Sequence, residues 1–120
     1  DHEGEQARRE SAQLMLRKMD EIAAGLPVVC LGDFNSTPDT PQMQALSARL
    51  HDARTWSLSP PYGPVGTFNG FQLDAPMSER IDYIFVSPSV RVLQYAVLSD
   101  NLGGRYPSDH HPVVARLLLD

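Results

Sequence analysis

The sequence predicts a layered α/β fold of the α+β kind, with a mixed, mainly antiparallel sheet and helices on one face. Three observations carry that expectation. A helix-periodic stretch opens the chain, an unbroken apolar run follows at Val28 to Leu31, and strand-like segments fill the second half. At 120 residues and 42% hydrophobic content, a single compact core is expected. The chain shows no internal repeat and no low-complexity segment.

From Ala12 onward, Met15, Leu16, Met19, Ile22, Ala23 and Leu26 recur at helical spacing, while Arg9, Gln13, Arg17, Lys18 and Glu21 fall mostly on the other side. This predicts an amphipathic helix, with Gly25 suited to its end and Pro27 placed where a helix cannot continue. Val28, Val29, Cys30 and Leu31 do not alternate, the pattern of a central strand covered on both faces. Ser36 to Pro41 reads as a loop. Thr40 then serves as N-cap and Pro41 as first residue of a short helix with Met43, Leu46 and Leu50 on one face. Ser57 to Gly70, rich in Pro, Gly and Ser, predicts a long loop leading into a short strand near Thr67 and Phe68. "RIDYIFVSP" and "VRVLQYAVLSD" read as a hairpin turning at Ser87 to Ser89, and "PVVARLLLD" as a last strand after the loop "NLGGRYPSDHH".

Composition excludes several classes. A formal net charge of -5 offers no broad attraction for a phosphate backbone, which disfavours a non-specific duplex binder. The lone Cys30 rules out an internal disulfide and a multi-cysteine zinc site, and fits a small buried hydrophobe. No apolar run approaches the roughly 18 residues of a transmembrane segment, and the opening residues are polar, without a signal-peptide hydrophobic region.

Asp33 and Asn35 end the first strand, one residue apart. In extended backbone their side chains share a face, with Phe34 turned into the core. Strand ends in layered α/β folds favour sites, yet the two residues serve equally well as caps of the turn "NSTP". Asp82 interrupts an apolar strand, and a buried carboxylate costs several kcal/mol unless it is paired. Arg80 points to the other side, so the partner is sought elsewhere. "SDHHPVV" offers it: His110, whose tautomer and basicity a carboxylate would fix. His111, its neighbour, is expected to point away and to be partly exposed, with no assigned role. His51 with Asp52 reads as structural, and His2 as a local cap or contact.

At these residues the chain resembles the endonuclease/exonuclease/phosphatase superfamily of DNase I-like, metal-dependent phosphoesterases. The resemblance rests on "GDFN" at Gly32 to Asn35, "RIDYIF" at Arg80 to Phe85 and "SDHHPV" at Ser108 to Val113. "DHEGEQARRESAQLML" at the start and "GTFNGF" at Gly66 to Phe71 support it. It implies that Asp33 orients or deprotonates the attacking water and that Asn35 hydrogen-bonds a phosphate oxygen in the transition state. It implies further that Asp82 is the carboxylate paired to the catalytic His110, and that Asp109 is a metal-site or metal-adjacent residue. The implied cofactor is Mg2+ or Mn2+, and the implied reaction is in-line attack of water on a phosphate ester without a covalent intermediate.

The resemblance covers residues 1 to 120 but only the C-terminal half of the family's domain, half of a four-layered α/β sandwich. The other half supplies an Asn, a metal-binding Glu and a further His. A fragment of a longer chain, or an assembly in which another chain covers the inner sheet face, is therefore expected, with weak or no activity in isolation. Asn69, Phe71 and Arg80 are substrate-binding candidates, with Trp56, Tyr62 and Arg105 nearby. Aromatics there would stack a base, loop packing accounts for Trp56, and exposed salt bridges account equally for Arg80 and Arg105. The substrate is open among nucleic acid, nucleotide, phosphoinositide and phospholipid head group, because loops decide it. Two other readings remain: a non-catalytic binding or scaffold module that retains the fold, and an independent small domain with accidental motif matches.

Overall fold

The computed structural model describes residues 2–74 and 76–119. In chain order the elements are α1 (His2–Ala23), β1 (Val29–Asp33), α2 (Pro41–Arg49), β2 (His51–Asp52), α3 (Ala53–Trp56), β3 (Asp82–Val86), β4 (Arg91–Val97) and β5 (Val113–Leu118). The class is the expected α/β one. Every ladder between these strands is antiparallel, and the Tyr62–Ala96 bridge is parallel.

Helix α1 begins at His2, well upstream of the periodic stretch, and ends where Ala24 and Gly25 take positive φ angles of 49° and 91°. Ala12 and Leu16 are buried, with Met15 and Met19 packed beside them. Ile22 and Leu26, expected on the same apolar face, are exposed instead. A 22-residue helix is about 33 Å long, whereas a 5-residue strand covers about 17 Å, so α1 outruns the sheet it packs on. Helix α2 starts as expected, with Thr40 in extended backbone as N-cap and Pro41 in its first turn, and it buries Met43 and Leu46.

Two expectations about the strands are corrected. The first is that β1 is the central, doubly covered strand. The sheet order is β1-β3-β2, so β1 is an edge, with Val29 41% and Leu31 66% exposed. The central position belongs to β3. Its Tyr83 and Phe85 pack against α1 and α2, while Ile84 and Val86 pack against β4, Val113, Ala115 and Leu117. An apolar run encodes two covered faces without saying what covers them, and here the face of Val29 and Leu31 stays open.

The second correction concerns the hairpin. The turn exists, with Val90 N–H donating to Ser87 O at 3.0 Å, but β4 leaves β3 and pairs with β5 in a separate two-stranded sheet. The reason is edge occupancy: β1 takes one side of β3 and β2 the other, leaving β4 nothing to pair with. Ser87 fixes the corner. Its N–H donates to Val28 O at 2.9 Å, and its Oγ accepts the Val28 N–H at 2.8 Å.

The extents are 47 × 38 × 20 Å, a slab rather than a sphere. Its thickness is about that of one helix layer on one sheet layer, each roughly 10 Å deep.

Candidate active site

Strand pairing sets the site. Val29 pairs with Val86, and the register runs to Asp33 opposite Asp82, so both carboxylates stand on one face at the end of β1 and the start of β3. Like charges directly opposite each other are destabilising. His110 answers that repulsion: its Nδ1 is 2.8 Å from Asp82 Oδ2, and its Nε2 is 3.8 Å from Asp33 Oδ2. Nδ1 carries the proton, because a carboxylate only accepts. The hydrogen bond to Asp82 pushes the His110 pKa up against the opposing effect of burial, and the charges of Asp82, Asp33 and Asp109 add to the rise.

Asp33 closes the turn, one of the two readings the sequence left open, and also faces His110. Its Oδ1 accepts the Asn35 N–H at 2.8 Å and closes the turn, while Oδ2 is on the His110 side. The extended geometry expected of Asn35 is corrected: β1 ends at Asp33, and Asn35 takes a left-handed φ of 50°. Asn tolerates that region because its short polar side chain bonds locally. Asn35 is thus exposed at the strand end beside Asp33, reached through a turn rather than along the strand.

The loop "GTFNGF" seats the other side of the site. Gly66 N–H donates to Met77 O at 2.8 Å, and a Cβ at this position would lie 2.4 Å from the Met77 carbonyl carbon, so only glycine permits the approach. Thr67 follows, fully buried. Its Oγ1 accepts the N–H groups of Ile81 and Asp82 at 3.0 and 3.1 Å, and its carbonyl accepts His111 N–H at 2.7 Å. Phe68 bridges to His110 and sets its ring edge-to-face with the imidazole, centroids 5.2 Å apart. Thr67 therefore ties Asp82 to the loop that carries His110. Thr67 lies in "GTFNGF", a supporting motif of the sequence, but nothing in that motif singled out Thr67 for a role.

The remaining candidates lie as follows. Asn69 is 4% exposed and its amide is engaged internally with Ser108, Phe71 and His111. Phe71 is exposed at the rim with φ 64°, an unusual conformation for a bulky residue. Arg80 is buried rather than at the surface, bonded to Asp52 and placed over the Tyr83 ring. The expected exposed salt bridge is corrected to a buried one, because Arg80 enters β3 on the side facing β2. Asp109 sits in the loop before His110, but among the described residues the three side chains whose ligand atoms lie within 4.8 Å of one another are Asp33, Asp82 and His110. His111 is also corrected: it is 5% exposed, and burial pushes its pKa down. Trp56 stacks on His51 at 3.7 Å, away from the cluster. The side chain of His2 lies outside the described residues.

A sheet that gathers an aspartate pair at its strand ends and a histidine from the loop before β5, with helices behind, puts polar groups where layered α/β folds build their sites. Residues 2–110 match the model of the Endonuclease/Exonuclease/phosphatase family, and the chain belongs to that family. Among solved structures, it is 39% identical to an endonuclease/exonuclease/phosphatase family protein of Bacteroides thetaiotaomicron, with TM-score 0.90, covering 100% of this chain and 46% of that one. A mannosyl-6-phosphatase of Bacteroides thetaiotaomicron VPI-5482 is 38% identical, with TM-score 0.88 over 99% of this chain and 48% of that one. A functionally unknown conserved protein of Enterococcus faecalis V583 is 33% identical, with TM-score 0.89, covering 100% and 47%. The chain thus spans about half the length of the solved structures it matches. No curated protein matches it.

Proposed function

We propose that this chain is the C-terminal half, residues 1–120, of a metal-dependent phosphoesterase domain, and that Asp33, Asn35, Asp82 and His110 are its catalytic residues. The observation that carries the reading is His110 placed between two opposed carboxylates, bonded to one and facing the other. Asp82 holds the imidazole in the tautomer with Nδ1 protonated and favours the imidazolium. In that form Nε2–H donates to a non-bridging phosphate oxygen. Asp33 accepts a proton from the attacking water, whose oxygen bonds phosphorus as the ester bond to the leaving oxygen breaks in line, and the leaving oxygen takes its proton from solvent. Asn35 hydrogen-bonds a phosphate oxygen as charge develops.

Hard carboxylate oxygens gathered around Asp33, Asp82 and His110 suit Mg2+ or Mn2+, and Asp109, whose charge reaches His110, is the residue of this chain that would hold such an ion. When bound, the ion would neutralise phosphate charge. The exposed face of Val29 and Leu31 supports the half-domain reading, since it offers the missing half a surface to cover. The mannosyl-6-phosphatase relative favours a sugar phosphomonoester over the nucleic acid, phosphoinositide and phospholipid substrates of the wider family.

The test is hydrolysis of a panel of phosphate esters, with and without Mg2+, by a polypeptide that includes this chain and its upstream half. Asp33→Asn and His110→Ala should each lower kcat by at least about 100-fold, the usual scale of general acid–base catalysis. Unchanged turnover in either variant sinks the residue assignments and favours the binding-module reading. Robust Mg2+-dependent turnover by the 120-residue chain alone would sink the half-domain reading.

A further inference from the structure

His111 faces away from His110 into the fold, with its ring edge-on to Tyr106 at 4.9 Å between centroids. Its tautomer is fixed by Asn69. The Asn69 Oδ1 accepts the Phe71 N–H at 2.6 Å and its Nδ2 donates to Ser108 O at 3.0 Å, so turning the amide over would lose both bonds. The same Nδ2 lies 3.4 Å from His111 Nδ1. A ring nitrogen facing an amide donor presents its lone pair, which leaves the imidazole neutral with its proton on Nε2. That Nε2 is buried and has no hydrogen-bond partner among the described residues. His111 also lines a cavity of about 190 Å³ whose wall includes Asp33 and Asp82.

We infer that His111 is a positioning residue: its Nδ1 holds Asn69 in the orientation that seats the His110 loop against Asp82. Asn69 and Gly70 grip the two residues before His110. Asn69 Nδ2 donates to Ser108 O, and the Asn69 and Gly70 N–H groups reach Asp109 O at 2.8 and 3.3 Å. The residue after His110 is held by Thr67 through the His111 N–H. His110 is therefore clamped from both sides by residues 67–70, and the same Thr67 anchors Asp82. Swinging Asn69 out of place loosens one side of that clamp and with it the 2.8 Å contact between His110 and Asp82. The inference rests on the phosphoesterase reading only where turnover is measured.

Three substitutions separate this role from core filling. His111→Asn puts an acceptor oxygen close to where Nδ1 stands, His111→Gln moves it to the Nε2 side, and His111→Phe keeps a ring without an acceptor. In the longer polypeptide, His111→Gln and His111→Phe should lose kcat by about 10- to 100-fold with KM nearly unchanged, the scale for residues that orient a catalytic group. His111→Asn should retain most of kcat. Equal loss in all three, tracking their loss of thermal stability, overturns the inference.

Nitrogen-15 NMR of the 120-residue chain provides a readout that needs no turnover. His111 should appear as the neutral Nε2–H tautomer, and Asn69→Leu should abolish that preference. An Nδ1–H tautomer at His111 overturns the inference. An inactive longer polypeptide that still shows the Nε2–H tautomer and its dependence on Asn69 supports the clamp and counts against the phosphoesterase reading.

Discussion

His110 gains its properties from where the strands place their carboxylates, and this makes it sensitive to pH. Folded His110 holds its proton more tightly than an unfolded histidine, whose pKa is about 6.5. Its contribution to stability is therefore fully present below about pH 6.5 and is lost as pH rises through the higher folded value. In metal-free protein, the urea midpoint should fall across that window. Asp82→Asn removes the main cause and should flatten the fall; an identical slope in the variant would show that another group is responsible. Asp52 behaves differently, because it neutralises Arg80 inside the core with both side chains nearly inaccessible. Asp52→Ala should destabilise by about 3–5 kcal/mol by stranding a buried charge, and adding Arg80→Leu should recover part of the loss. A chemical denaturation series on the single and double variants measures both. Residues of this kind differ in how readable they were from sequence. Asp82 announced its need for a partner by interrupting an apolar strand. Arg80 was expected on the side away from Asp82, although alternation puts residues two apart on one face; it precedes β3 and turns to Asp52, a partner the sequence did not name.

Strands β1 and β3 show the limit of pattern reading at the scale of elements. Both are apolar runs without alternation, and the sequence alone gives no reason to rank one as edge and the other as centre. Edge occupancy settles it: β3 has partners on two sides and β1 on one. The energetic consequence is direct. Phe85→Ala, at a fully buried position on β3, should cost about 3–5 kcal/mol, whereas Leu31→Ala on β1 should stay within about 0.5 kcal/mol. Comparable losses at the two positions, read from thermal or urea unfolding, would mean that the face of Leu31 is covered. The failed hairpin has the same origin, since a turn signal at Ser87 to Ser89 specifies a reversal but not whether the neighbouring edge is free. The helices were more legible because Thr40, Pro41 and the 3.6-residue stripe are local signals that depend on no distant strand.

Across the whole molecule, the motif order carried the family and the site. "GDFN", "RIDYIF" and "SDHHPV" each end or begin a strand, so once the strands pair, their polar residues meet. What the motifs could not show is the clamp around them, because the side chains of Thr67, Asn69 and His111 bond to groups distant in sequence, which composition does not reveal. The slab shape and the open face of Val29 and Leu31 give a further expectation. The 120-residue chain should self-associate or bind a hydrophobic dye, and Leu31→Lys should reduce both without lowering its unfolding midpoint. Sedimentation that shows a strict monomer, together with absent dye binding, would contradict the half-domain proposal. The clamp also bears on the order of events as the chain emerges during synthesis. His110 is made 28 residues after Asp82 and is seated by a loop made before either. On the proposed reading, a truncated or stalled product that ends before His110 would carry the first two motifs without the imidazole that faces the phosphate.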